Sequence, residues 1–292
     1  MQGQYRAREW PDPCADSQSP SCLWAGQTRR KVTPLSLPQI RVLFTPAEFL
    51  QLHGQDLSCT TCVVFDVLRA TSTLLEALYQ GAKGIRPAGT IEEALALKQS
   101  NPHCLLAGER EGLRITAAQT GGIDFDLGNS PLEFTASVVA DREIIMTTTN
   151  GTRALSACRG AAEILAASFS NIGALAGYLT LNLPSKLLLI CSGTLENASF
   201  EDALGAGALV DRLWPLYGNP VKARTDDSAA IARSLFQNHQ SSLLDSAGLA
   251  RNGRRLLALP QLAPDIPLCM DLDRLNLVAR LDSDGVLRVI DP

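Results

Sequence analysis

The chain has 292 residues, 46% of them hydrophobic, 19% charged and 5% aromatic, with 26 Lys+Arg set against 30 Asp+Glu. That apolar content excludes wholesale disorder, and the net charge of −4 leaves no basic surplus for a broad nucleic-acid footprint. No apolar run comes near the roughly 20 residues that span a bilayer, and the length suits one large domain or two ordinary ones.

The first 38 residues differ from the rest. Pro11, Pro13, Pro20, Pro34 and Pro38 stop either helix or strand from propagating. No apolar stretch of the secretory type follows the arginines, so 1–38 reads as a disordered extension or a misassigned start. Eight cysteines without such a signal point to reduced thiols and a cytoplasmic protein. Cys59-Thr-Thr-Cys62 lacks the second CxxC or histidine pair that a zinc site needs.

From Ile40 onward, β-rich runs alternate with Ala/Leu-rich stretches. Cys62–Val67 is a near-continuous apolar run, the mark of a strand covered on both faces. Thr71–Gln80 reads as a helix ending at Gly81, and Gly84–Pro87 as a short strand. Thr90-Ile-Glu-Glu93 is a capping box opening the next helix. Leu105–Ala107 is a strand that gives way to Gly108-Glu109-Arg110, and Asp126–Pro131 is a turn. Strands at Glu143–Thr148, Glu163–Ala167 and Lys186–Cys191 are each followed by a helix, at about 152–158, 171–181 and 200–213. Residues 214–267 look mainly helical, and Leu281–Ile290 resembles a hairpin around Asp284-Gly285. Such alternation predicts an α/β fold with a mostly parallel sheet. The echo between Val63–Gln80 and Leu187–Leu213 predicts two similar three-layer domains, 39–160 and 161–292.

In open α/β sheets, ligands gather at the carboxyl ends of strands. Those ends carry Asp66, Arg69 and Thr71-Ser72-Thr73; then Glu109 and Arg110; then Asn150-Gly151-Thr152-Arg153; and finally a loop leading to Glu201-Asp202. Hydroxyls at helix starts suit a phosphate, though any one of them could equally be a plain N-cap. Arginines offer paired donors to anionic oxygens, and carboxylates suit Mg²⁺. There is no GxxxxGK[ST], no GxGxxG after the first strand and no GxSxG, and His53, His103 and His239 lie away from the strand ends. What survives is metal-assisted transfer or hydrolysis of an anionic small molecule by carboxylates.

Five segments then carry a resemblance: Asp66-Val-Leu-Arg-Ala-Thr-Ser-Thr73, Ala107-Gly-Glu-Arg110, Asp126-Leu-Gly-Asn-Ser-Pro131, Thr147-Thr-Thr-Asn-Gly-Thr-Arg153, and Glu201-Asp202 with Gly205-Ala-Gly207. In this order they resemble the 2-phosphosulfolactate phosphatase family. The resemblance implies a Mg²⁺-dependent release of phosphate from 2-phospho-3-sulfolactate, a step of coenzyme M biosynthesis in methanogens. It implies Asp66, Arg69, Glu109 and Arg110 as catalytic residues. Substrate would be held by Thr71, Ser72, Thr73, Asn129, Asn150, Gly151, Thr152 and Arg153. Mg²⁺ would rest on Asp66, Glu201 and Asp202, with Asp66 alternatively the nucleophile. Another phosphorylated hydroxy acid as substrate, or an idle anion-binding protein on the same scaffold, are the competing readings. The expected partner is a small molecule, not nucleic acid or membrane, and a homodimer is left open. No site residue is expected after Leu213.

Overall fold

The run Thr60–Phe65 forms a strand because alternate side chains find separate cores. Val63 and Phe65 join one apolar cluster, while Cys62 and Val64 join another on the opposite face. All six residues are buried, which is why the sequence shows a continuous apolar run instead of alternation.

The computed structural model describes residues 37–219 and 223–290. Apart from residues 37 and 38, the expected N-terminal extension lies outside them. In chain order the strands are β1 (Gln39–Leu43), β2 (Thr60–Phe65), β3 (Gly84–Pro87), β4 (Leu105–Arg110), β5 (Leu113–Arg114), β6 (Glu143–Thr147), β7 (Glu163–Ala167), β8 (Lys186–Cys191), β9 (Arg224–Thr225), β10 (Val278–Leu281) and β11 (Leu287–Ile290). The helices are α1 (Pro46–Leu50), α2 (Ala70–Tyr79), α3 (Ile91–Ser100), α4 (Ala117–Thr120), α5 (Ala136–Val139), α6 (Gly151–Ala157), α7 (Ile172–Leu181), α8 (Phe200–Tyr217), α9 (Asp227–His239), α10 (Leu243–Ser246), α11 (Arg251–Leu257) and α12 (Asp265–Cys269).

The strands form one mixed sheet in the order β5-β4-β6-β3-β11-β10-β7-β2-β8-β1-β9. Two parallel blocks, β4-β6-β3 and β7-β2-β8-β1-β9, are joined by the antiparallel β10–β11 hairpin, which pairs with β7 on one side and β3 on the other. The α/β, mostly parallel architecture therefore stands. The expected halves, 39–160 and 161–292, do not own separate sheets: β2 lies between β7 and β8, and the described residues form one compact unit.

The second expectation to shift concerns Gly108-Glu109-Arg110. Its polarity reads as a loop, yet it completes β4 and turns antiparallel into β5, pairing Glu109 with Arg114 and Arg110 with Leu113. Gly108 permits this because a Cβ there would lie 2.2 Å from the Thr147 carbonyl oxygen of neighbouring β6.

On α8, Gly205 and Gly207 serve packing. A Cβ on Gly205 would meet Phe65 at 3.0 Å, and one on Gly207 would lie 2.1 Å from the Ala232 carbonyl oxygen of α9. Glycine at both positions lets α8 press between β2 and α9, which fixes where Glu201 and Asp202 enter the site. Cys59, Cys62, Cys104, Cys158, Cys191 and Cys269 are free thiols. Among the described residues, no helix is long and apolar enough to cross a membrane.

Candidate active site

The segments following β2, β6 and β8 and the β4–β5 turn meet α11 around a cleft of about 770 Å³. Asp66, Arg69, Glu109, Arg110, Asn129 and Asn150 all line it, so six of the residues singled out in the sequence come together.

Asp66 lies at the end of β2, only 7% exposed. Its Oδ1 accepts the Ala70 N–H at 3.2 Å, at the start of α2, and the carboxylate also accepts the Gly151 N–H at the start of α6. Two helix N-termini thus converge on one acid, an arrangement that favours its charged form. Burial outweighs them, and with the Glu109 and Glu201 carboxylates nearby it pushes the Asp66 pKa up to about 7. Gly151 is required at this contact, because a Cβ there would lie 2.9 Å from Asp66 Oδ2 and 2.8 Å from the Ala70 Cβ.

The other acids divide by partner. Both oxygens of Asp202 accept backbone N–H groups, from Val67 at 2.8 Å and Gly193 at 3.2 Å, so it braces the β2 and β8 loops from behind. Glu201 accepts the Asn252 amide at 2.8 Å on Oε1, while its Oε2 is buried without a partner. Burial raises the pKa of both carboxyls, and for Asp202 the Glu201 and Asp66 charges add to it. Glu109 is a clamp: Oε1 accepts the Thr149 N–H and hydroxyl, each at 2.9 Å, and Oε2 accepts the Gly112 N–H at 2.7 Å. Among the described residues, no group of three or more His, Cys, Asp or Glu side chains is placed to hold a metal ion. The expected Asp66, Glu201 and Asp202 therefore do not form such a group: Asp66 lines the cleft, Glu201 and Asp202 do not, and Glu201 keeps one oxygen without a partner.

The hydroxyl run is turned inward. Thr71 Oγ1 accepts the Asp66 N–H, Ser72 donates to the Val67 carbonyl and Thr73 donates to the Asn129 carbonyl. The first two close the β2–α2 turn on itself, the third ties it to the Asn129 loop, and all leave the cleft wall to other groups. Thr152 likewise donates to the Thr148 carbonyl within its own turn, and Arg153 pairs with Glu196 at 3.1 Å on the surface. Neither reaches the cleft lining. Arg69 does, but its Nη1 donates to buried Asp265 at 2.6 Å and its Nη2 to the Gly112 carbonyl at 2.8 Å. Ser130 donates to the other Asp265 oxygen at 2.5 Å. Asn129 and Asn150 each keep a buried Oδ1 without a partner beside the cleft.

The resemblance carries no site residue past Leu213, where the match is loose, yet Arg251, Asn252 and Arg255 of α11 line the same cleft and Asp265 anchors Arg69. The i, i+4 arginine spacing was the available signal, but on a helix of unknown placement it reads as a solvated face.

Comparison with known proteins identifies the family. The model of the 2-phosphosulpholactate phosphatase family matches residues 47–284. A probable 2-phosphosulfolactate phosphatase of Caldanaerobacter subterraneus is 34% identical over 84% of this chain and 97% of its own length. Proteins of the same description from Thermotoga petrophila and Synechococcus sp. CC9605 are 39% and 37% identical, over 76% and 86% of this chain and 89% and 99% of their own lengths.

Proposed function

The chain belongs to the 2-phosphosulpholactate phosphatase family, and from that premise and the chemistry of its cleft we propose that it hydrolyses 2-phospho-3-sulfolactate to 3-sulfolactate and inorganic phosphate. The observation that carries the reading is the buried Asp66 carboxylate, set beneath two helix N-termini in a cleft whose walls bear guanidinium groups. An acid in the floor with cations around it suits a phosphoryl group whose charge must be balanced while its ester bond breaks.

Mg²⁺ fits the donors. It takes one or two carboxylates and keeps several waters, and the unpartnered Glu201 Oε2, on a carboxyl whose charge acts on Asp66 and Asp202, is a group that a cation would satisfy. Asp66 and Glu201 would hold it, and it would supply charge neutralisation for the phosphoryl oxygens. The protein's own groups do the positioning. Glu109 fixes Thr149 and Gly112 on opposite sides of the opening, and Asn252 ties α11 to Glu201 and Thr194. Asn129 and Asn150 offer amides to the phosphoryl oxygens.

The test is phosphate release from 2-phospho-3-sulfolactate by the full chain, with and without EDTA, alongside Asp66→Asn. Turnover lost on chelation and in the variant supports the reading, and turnover surviving EDTA refutes the metal assignment. Absence of turnover with this substrate, but not with another phosphorylated hydroxy acid, moves the assignment to that acid. A labelled phospho-enzyme trapped by rapid quench in wild type and not in Asp66→Asn assigns Asp66 as nucleophile. Free thiols and the lack of a membrane-crossing helix among the described residues support a cytoplasmic setting. A two-lobed organisation would follow the two parallel blocks of the sheet, not the 160/161 boundary.

A further inference from the structure

We infer that Arg251 and Arg255 are specificity residues that recognise an anionic group of the substrate that is not transferred, its sulfonate or its carboxylate; this rests on the phosphatase reading above. Both line the cleft and both are exposed, unlike Arg69 and Arg110, whose guanidiniums are already committed to Asp265, Gly112, Glu109 and Thr147. Among the described residues neither Arg251 nor Arg255 has a hydrogen-bond or ion-pair partner. Four positions apart on α11, they share one face, where like charges repel unless an anion lies between them. Arg254, one position away, turns elsewhere and donates to the Leu249 carbonyl at 2.6 Å.

The placement is built. Asn252, between the two arginines, donates to both Glu201 Oε1 and Thr194 Oγ1, fastening α11 to the acidic floor. Gly112 clears room for Arg255, since a Cβ there would lie 3.2 Å from Nη2. The Gly112 carbonyl and N–H are also the groups held by Arg69 and Glu109, so the turn under Arg255 is fixed by the reacting end of the cleft. A buried acid for the phosphoryl end and an uncommitted guanidinium pair on α11 match a small molecule with further anionic groups beside the one transferred. The planar fork suits the paired oxygens of a sulfonate or a carboxylate equally.

Steady-state kinetics of wild type, Arg251→Gln, Arg255→Gln and the control Arg254→Gln test this on four substrates: 2-phospho-3-sulfolactate, 2-phospholactate, 2-sulfoethyl phosphate and p-nitrophenyl phosphate. Each cleft variant should raise KM for 2-phospho-3-sulfolactate about tenfold with kcat little changed, the size expected for one charge-assisted contact. With p-nitrophenyl phosphate, which has no second anion, KM should stay within about twofold, and Arg254→Gln should leave all four unchanged. A penalty retained on 2-sulfoethyl phosphate assigns the sulfonate, and one retained on 2-phospholactate assigns the carboxylate. Equal losses on all four substrates, or none on any, overturn the inference. If wild type turns over none of them, the phosphatase reading itself fails, visibly before any variant is compared.

Discussion

Asp265→Ala is expected to weaken both the fold and the cleft, although Asp265 lies 196 positions from its partner in a segment the sequence leaves unmarked. The Arg69 and Asp265 side chains are 3% and 0% exposed, and their nitrogen and oxygen are 2.6 Å apart. Removing the acid strands a buried guanidinium and leaves the Ser130 hydroxyl without its acceptor. Breaking a buried pair from one side costs about 3–5 kcal/mol, a fifth or more of the roughly 5–15 kcal/mol that a domain has. With a urea m-value near the upper end of about 1–3 kcal/mol/M for a chain of this size, the midpoint should fall by about 1–2 M at constant m. Replacing both partners together, as Arg69→Met with Asp265→Leu, should recover much of the loss, because two apolar groups leave no orphaned charge. That double variant should nonetheless be impaired as an enzyme, since Arg69 also holds the Gly112 carbonyl that shapes the cleft rim. A single Asp265→Ala variant within 1 kcal/mol of wild type, or a double variant no better than the single, would refute the account.

Three further outcomes are expected. Gly207→Ala forces a Cβ against the Ala232 carbonyl and should cost about 1–3 kcal/mol, read as a lower Tm with the activity of the folded fraction little altered. Gly151→Ala should instead depress kcat by tenfold or more, on the order of 1.4 kcal/mol, because its Cβ meets Asp66 Oδ2; an unchanged kcat would remove Gly151 from the site. In metal-free protein, Asp66 titrates near 7 when folded and 3.8 when unfolded, so the native state holds the extra proton between those values. Its contribution is full below 3.8 and lost as pH rises through 7; urea titrations in EDTA should show stability falling by a few kcal/mol across that range and the slope flattening in Asp66→Asn.

Sequence carried the fold where burial is local to an element. The unbroken apolar run at β2 and the Thr90 N-cap are decided by neighbours within a few positions and match the structure, although the reciprocal half of the capping box does not form, since Glu93 accepts the Gly89 N–H and not that of Thr90. It failed where pairing decides. Gly108-Glu109-Arg110 becomes strand because Gly108 lets β4 approach β6, and the halves merge because the β10–β11 hairpin bridges β7 and β3. At the site, residue type located the cleft but not the direction of each group. Thr71, Ser72 and Thr73 looked like phosphate ligands, yet a hydroxyl at a helix start has several backbone partners within reach, and here all three take them.

The sign of the net charge misleads for a related reason. A chain at −4 looks unsuited to a multiply anionic ligand, but surface charge is a sum and a cleft is a selection from it. The lining holds Arg69, Arg110, Arg114, Arg251 and Arg255 against Asp66, Glu109 and Glu111, an excess of cations inside an acidic protein. Its two ends differ further, since burial leaves the Asp66 end short of countercharge while Arg251 and Arg255 stand unpaired opposite. A ligand that supplied anions alone would satisfy the arginines and aggravate the acids. One accompanied by a divalent cation satisfies both, so substrate and Mg²⁺ should bind with positive coupling: raising Mg²⁺ should lower the substrate Kd, and substrate should lower the Mg²⁺ Kd by the same factor. Independent binding of the two, measured by titrating each at fixed levels of the other, would show that the acids and the arginines do not share one ligand.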